Sequence, residues 1–306
     1  MPKDLKDIQQ QIIKLKDATD ALVLAHYYQP LEIQDVADVV GDSFEMARRA
    51  KEAEQGTIVV CGVHFMAESA KILSPDKTVL LPAPDAGCPM ADMVEPEDVL
   101  ALREKHPKAA VMCYVNSSAA VKAVSDVCCT SSSAVKIAEQ LEAEEIIFVP
   151  DRNLGRYVAE QVPGKQFYFH PGFCPIHDRV TREQVQKAKA NYPKAVFAAH
   201  PECREEVLLE ADFIGSTSQI IAFARETAAR EIIIGTELGV LELLAREMPE
   251  KQIFSVGTSF VCPNMKKTSL DDLYNALAIG VHEIRLSPEE IAAAKASLDR
   301  MIALNA

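Results

Sequence analysis

The chain has 306 residues, 48% of them hydrophobic and 25% charged, values that exclude a disordered chain and allow a sizeable buried core. Its 32 Lys and Arg stand against 45 Asp and Glu, a formal charge of −13, which argues against nucleic acid and anionic membranes as partners because both need clustered cations. No apolar run approaches the ~18 residues of a membrane span, and the opening MPKDLKDIQQQ is too polar for a signal peptide, so the expectation is a soluble, cytoplasmic protein.

The predicted elements alternate from the start. An amphipathic helix over about 4–17 leads to a strand at Leu22–Ala25, a helix over about 43–54 and a strand at Thr57–Val60. A helix over about 64–73 and a strand at Thr78–Leu81 follow, ending in a loop that carries Cys88-Pro. Short, continuously apolar strands between helical segments read as a parallel sheet covered on both faces. The same order then recurs. Cys88, Cys174 and Cys262 are each followed by Pro and lie 86 and 88 residues apart. Each Cys-Pro precedes a helix-start signal: Glu95-Pro-Glu-Asp, Thr181-Arg-Glu-Gln and Ser269-Leu-Asp-Asp. Asp38, Asp126 and Asp212 precede VVGDS, VCCTS and FIGST, and Pro75, Pro163 and Pro249 each lie 37 residues after those aspartates. The β-branched runs at Ile58, Ile146 and Ile232 keep the same phase.

Landmarks in one register mean a repeat. The predicted fold class is α/β: three homologous three-layer α/β/α units with small parallel sheets around a pseudo-threefold axis, spanning 1–90, 91–176 and 177–264. Residues 265–306, with Ser287-Pro-Glu-Glu opening the last helix, are expected to pack back on the repeats.

In open α/β sheets chemistry collects beyond the carboxyl ends of the strands. After the first strand of each copy stand His26-Tyr-Tyr28, Tyr114-Val-Asn116 and His200-Pro-Glu202. Residues i and i+2 of an extended segment point the same way, so each pair is aimed at one place. A second set in phase is Ser43, Ser131 and Thr217, with Ser216 beside the last; each is read as opening a helix, where its hydroxyl either caps the helix or, with the free amides, binds an anion. The third set is Cys88, Cys174 and Cys262. Of the eight cysteines only these occupy one phase in all three copies; Cys61 matches Val149 and Gly235, and Cys113 matches Ala25 and Ala199. Packed around an axis, three such thiolates suit zinc or an iron–sulfur cluster. A [4Fe–4S] cluster on three cysteines, the favoured option, leaves one iron open as a Lewis acid.

The motifs His26-Tyr-Tyr28, Gly41-Asp-Ser43, Cys88-Pro-Met-Ala, Tyr114-Val-Asn116, Pro150-Asp-Arg-Asn-Leu-Gly155, Cys174-Pro-Ile-His177, His200-Pro-Glu202-Cys, Gly215-Ser-Thr217, Gly235-Thr-Glu237 and Cys262-Pro-Asn-Met-Lys-Lys267, in this order, resemble the quinolinate synthase family over essentially the whole chain. The resemblance implies a [4Fe–4S] transferase of NAD biosynthesis that condenses iminoaspartate with dihydroxyacetone phosphate to quinolinate, losing phosphate and two waters. It implies metal ligation by Cys88, Cys174 and Cys262, and catalysis by His26, Tyr28, His200 and Glu202. It implies substrate binding by His26, Ser43, Tyr114, Asn116, Ser131, His200, Glu202, Ser216 and Thr217. Within that set Glu202 is the candidate general base, and Tyr28 and His26 handle the triose-derived portion. A transient supply of iminoaspartate from an aspartate-oxidising enzyme is compatible with it. Two departures stand out: Cys262-Pro-Asn-Met lacks the extra cysteines of some members, so disulfide regulation does not carry over, and Tyr27 stands where many members have Asn. An aconitase-type hydro-lyase or a non-catalytic iron–sulfur sensor would use the same three cysteines; the first needs no triose phosphate, and the acidic charge speaks against the second.

Overall fold

The computed structural model describes residues 5–257 and 260–305; the start of the first expected helix, at residue 4, lies outside them. Among the described residues twelve strands form three sheets of four, all pairs parallel. The first sheet has β1 (Ala21–His26), β2 (Val39–Gly41), β3 (Thr57–Cys61) and β4 (Thr78–Leu80). The second has β5 (Ala110–Tyr114), β6 (Val127–Cys129), β7 (Glu145–Val149) and β8 (Gln166–Phe169). The third has β9 (Val196–Ala199), β10 (Phe213–Ile214), β11 (Glu231–Gly235) and β12 (Gln252–Ser255). Each has the same spatial order, second-first-third-fourth.

The helices repeat likewise. The first sheet is flanked by α1 (Leu5–Ala18), α2 (Leu31–Gln34), α3 (Ser43–Glu52) and α4 (His64–Leu73). The second has α5 (Pro96–Lys105), α6 (Ala119–Ala123), α7 (Ala134–Gln140) and α8 (Arg152–Gln161). The one-turn α9 (Pro175–Asp178) precedes α10 (Arg182–Asn191), α11 (Glu205–Leu208), α12 (Thr217–Glu226) and α13 (Leu238–Glu247) around the third. The fold class is the α/β architecture read from the sequence, with one addition: each copy holds a fourth strand (β2, β6, β10) that three-strand reasoning missed. These strands are only two or three residues long, too short to show a period.

The repeated landmarks have repeated jobs. Asp38, Asp126 and Asp212 each accept the amide of a residue on the first strand, Val23, Val111 and Phe197, at 2.7–2.8 Å. Each also faces a cation from the preceding helix, Lys16, Arg103 and Lys189. Two residues after each landmark proline, Lys77, Lys165 and Lys251 bind pairs of carbonyls at and just beyond the end of the second long helix, Ala53 and Gln55, Leu141 and Ala143, and Ala224 and Thr227. The helix-start signals at Glu95, Thr181 and Ser269 are all capping boxes.

The first two sheets share one apolar core, which α15 (Pro288–Asn305) completes with Ala294, Leu298 and Met301 after α14 (Leu270–Ile279) has packed on α1. The third sheet is enclosed by separate clusters, one of which takes Tyr27 and Tyr28 from the first copy. Among the described residues no helix is long and apolar enough to cross a membrane.

Candidate active site

Strand ends and Cys-Pro loops from all three copies meet at a cavity of about 280 Å³. The first copy contributes His26, Tyr28, Ser43 and Cys88; the second Tyr114, Asn116, Ser131 and Cys174; the third His200, Glu202, Thr217 and Cys262. Of the residues singled out from the sequence, only Ser216 is not on the wall. It caps α12, its hydroxyl accepting from the Gln219 amide.

The hydroxyl set needs a correction. Ser43 and Thr217 are the first residues inside their helices; the caps are Asp42, whose carboxylate accepts the Phe44 and Glu45 amides, and Ser216. Ser131 does not open a helix. It lies in the turn before α7, where Thr130 and Ser133 interlock. Because capping falls to their neighbours, Ser43 and Ser131 keep hydroxyls for the cavity. Asn116 Oδ1 is buried with no hydrogen-bond partner among the described residues, a polar atom waiting for a ligand.

His26 and His200, equivalent ends of β1 and β9, are built alike. Each Nδ1 accepts the amide two residues on, from Tyr28 at 3.1 Å and from Glu202 at 3.3 Å. That fixes Nε2 as the protonated nitrogen of a neutral ring. Burial, joined by the neighbouring His200, pushes His26 down to about 3; burial pushes His200 down to about 4 against the pull of Glu202. Both rings are hydrogen-bond donors at neutral pH.

Glu202 is 4% exposed. Its Oε1 accepts from the Tyr114 hydroxyl at 2.7 Å, and its Oε2 lies 2.8 Å from Nδ1 of His177. Burial raises this carboxyl, but His200, His177 and the hydrogen bonds from His177 and Tyr114 outweigh it and hold Glu202 well below the usual carboxylate range. His177 Nε2 contacts the Thr236 hydroxyl at 3.0 Å, and Thr236 and Thr217 both contact the Tyr28 hydroxyl, at 2.9 and 3.0 Å. A continuous chain Thr217–Tyr28–Thr236–His177–Glu202–Tyr114 therefore draws on all three copies. Burial, and next the charge of Glu202, keeps both tyrosines protonated.

Spacing did not single out His177, Thr236, Asp151 or Glu237. Asp151 caps α8 and accepts the Cys174 amide at 3.2 Å; Glu237 caps α13 and accepts the Cys262 amide at 3.2 Å. At the same phase the first copy has Val63, the uncapped start of α4. Glu237 also meets Lys266, which reaches on to the Tyr28 carbonyl. An N-cap reading of Asp151 and Glu237 was open to sequence reasoning; their hold on the cysteine loops was not.

Cys88, Cys174 and Cys262 are partly buried, whereas the other five cysteines are buried. Each Cys-Pro starts a tight turn, and the backbone amides of Met90 and Ala91 at Cys88, His177 at Cys174, and Met265 and Asn264 at Cys262 favour the thiolate. Burial nevertheless pushes all three thiols up, Cys88 to about 12, so a cation is what would make them thiolates. Three soft donors on the wall of one cavity fit a metal–sulfur group.

The chain matches the family model described as NadA, quinolinate synthetase A protein, over residues 10–303. It is 49% identical over 302 residues to the quinolinate synthase of Caldicellulosiruptor saccharolyticus, covering 99% of this chain and 100% of that one. It is 50% identical over 294 residues to the quinolinate synthase of Clostridium kluyveri, covering 96% and 97%. It is 48% identical over 298 residues to quinolinate synthase 2 of Methanosarcina acetivorans, covering 97% and 96%.

Proposed function

The chain belongs to the quinolinate synthetase A family, and from that premise we propose that it is a cytoplasmic quinolinate synthase condensing iminoaspartate with dihydroxyacetone phosphate, with loss of phosphate and two waters. The observation that carries this reading is the meeting of three phase-matched cysteines and the Glu202 hydrogen-bond chain at one cavity. The three-unit division at 1–90, 91–176 and 177–264 about a pseudo-threefold axis belongs to the same proposal, supported by the shared strand order and repeated aspartate contacts. A [4Fe–4S] cluster held by Cys88, Cys174 and Cys262, one iron open, would supply a Lewis-acid position for a substrate nitrogen or oxygen.

The protein's own groups divide the remaining work. Ser43, Ser131, Thr217 and the Asn116 NH2 group donate to carboxylate and phosphate oxygens, while Asn116 Oδ1 accepts from a substrate N–H or O–H. The Nε2–H groups of His26 and His200 donate to substrate oxygens. Glu202, ionised and held by Tyr114 and His177, is the general base that forms the enediol and shuttles protons between substrate atoms. Tyr28, protonated and fixed by two threonines, orients the triose oxygen. Iminoaspartate, a dianion prone to hydrolysis, is the product expected of an aspartate-oxidising enzyme.

Anaerobically reconstituted protein is assayed for quinolinate with and without dihydroxyacetone phosphate, beside iron and sulfide per chain. Product only with the triose phosphate is the expected result; turnover of a hydroxy acid alone would replace the reading by a hydro-lyase. Cys88→Ser, Cys174→Ser and Cys262→Ser should lose iron, Cys203→Ser should keep it, and Glu202→Gln should keep iron while losing turnover. Full iron in Cys174→Ser overturns the ligand assignment.

A further inference from the structure

The atoms Cys174 Sγ, His177 Nδ1 and Glu202 Oε2 form a group that the cluster reading uses only in part. One ligand atom from each of these three residues lies within 4.8 Å of the other two. One ring nitrogen, His177 Nδ1, is 2.8 Å from Glu202 Oε2 and 3.3 Å from Cys174 Sγ, so one side of the ring faces both the carboxylate and the sulfur. His177 is 1% exposed and Glu202 4%. We propose that the metal-free chain binds one divalent cation of the zinc class at this position, a mononuclear site sharing only Cys174 with the three-cysteine set.

The local build favours it. Cys174 and His177 are three residues apart on the turn that opens α9, which brings both side chains to one face. Thr236 holds Nε2 at 3.0 Å; with the cation on Nδ1 that nitrogen carries its hydrogen and donates to the threonine, the usual outer support of a metal-bound histidine. Glu202 keeps Tyr114 on its other oxygen. Bond lengths of about 2.0–2.3 Å to zinc place tetrahedral donors roughly 3.3–3.7 Å apart, so the His177–Glu202 pair opens by about half an ångström. The fourth position faces the cavity, where water completes the shell. Thiolate plus carboxylate neutralise a 2+ ion. A mixed S, N, O set excludes Mg²⁺ and Ca²⁺ and prefers Zn²⁺ to Fe²⁺. Occupancy takes Cys174 away from the three-cysteine site, so zinc in the metal-free chain should delay iron–sulfur assembly.

The test titrates Zn²⁺, and Co²⁺ as its coloured substitute, into the full chain stripped of metal without oxygen. One equivalent should bind, and the Co²⁺ form should show a tetrahedral spectrum with the charge-transfer intensity of one thiolate. Cys174→Ser, His177→Gln and Glu202→Gln should each weaken binding more than tenfold, and Thr236→Val by about 10- to 100-fold. Cys88→Ser and Cys262→Ser should bind as the parent does. Loss of binding in those two, or a three-thiolate spectrum, assigns the ion to the cysteines alone and overturns the proposal, as does undiminished binding in Glu202→Gln, whose shape is unchanged. Iron and sulfide content of the reconstituted chain answers the cluster question separately, so failure here leaves that reading standing.

Discussion

Replacing Tyr114 with Phe removes one oxygen and little volume. The lost contact is the 2.7 Å hydrogen bond to Glu202 Oε1, between groups each 4% exposed, so water does not readily replace it. A hydrogen bond to a charged acceptor contributes about 1.5–3 kcal/mol, equivalent to roughly 10- to 150-fold in a rate or binding constant. Losing that bond also moves the Glu202 carboxyl upward, the Tyr114 hydrogen bond being the least of the groups that hold it down. Because His200, His177 and their contacts hold it far below its ordinary range, the carboxyl stays ionised at neutral pH even so. Tyr114→Phe should therefore lower kcat/KM for quinolinate formation by about 10- to 150-fold without moving the acid limb of its pH profile between pH 6 and 8. Iron content and thermal midpoint, measured beside the kinetics, should hold near the parent values. An unchanged kcat/KM would show that the bond does not position Glu202. A displaced acid limb would show that it governs ionisation instead.

Acid should destabilise the metal-free chain before the carboxylates titrate. His26 and His200 have folded pKa values of about 3 and about 4 against an unfolded 6.5, so their stabilising contribution is complete above pH 6.5 and is lost as pH falls toward 4. The loss is about 3 kcal/mol per ring by pH 4; urea midpoints flat from pH 6.5 to 4 would contradict it. Ser43→Ala, whose hydroxyl caps nothing, should weaken substrate binding by about 10- to 150-fold at unchanged stability, whereas Ser216→Ala should cost about 1 kcal/mol of stability as a lost cap. The reverse pattern in KM and urea midpoint would exchange their roles. Asp126→Ala, which frees the Val111 amide and Arg103, should cost about 1.5–3 kcal/mol in urea denaturation and leave iron content intact.

The repeat was legible because its landmarks are structural: the aspartates clamp the first strand in every copy, and the prolines precede the lysines that close helix ends. Strand phase then located twelve of the cavity's residues without any contact being known. What escaped was whatever depends on tertiary packing rather than on the phase of the repeat. His177 meets Glu202 across 25 residues of sequence, and Thr236 meets Tyr28 across 208, with no periodic signal linking either pair. Asp151 and Glu237 escaped because Val63 breaks their phase. Ser131 was misplaced because apolar periodicity does not separate a helix's first residue from the turn before it.

That break in phase has a mechanical consequence. Two of the three Cys-Pro loops are tied through the amide of their cysteine to a carboxylate at a helix start, and Val63 has no such group to offer the third. The arm bearing Cys88 is tied instead by the His64 amide on the Ala86 carbonyl and by Lys267 on Asp85. Two cysteines are thus anchored through buried carboxylates and the third through an ion pair at the rim, so added salt should loosen the arm bearing Cys88 before the other two.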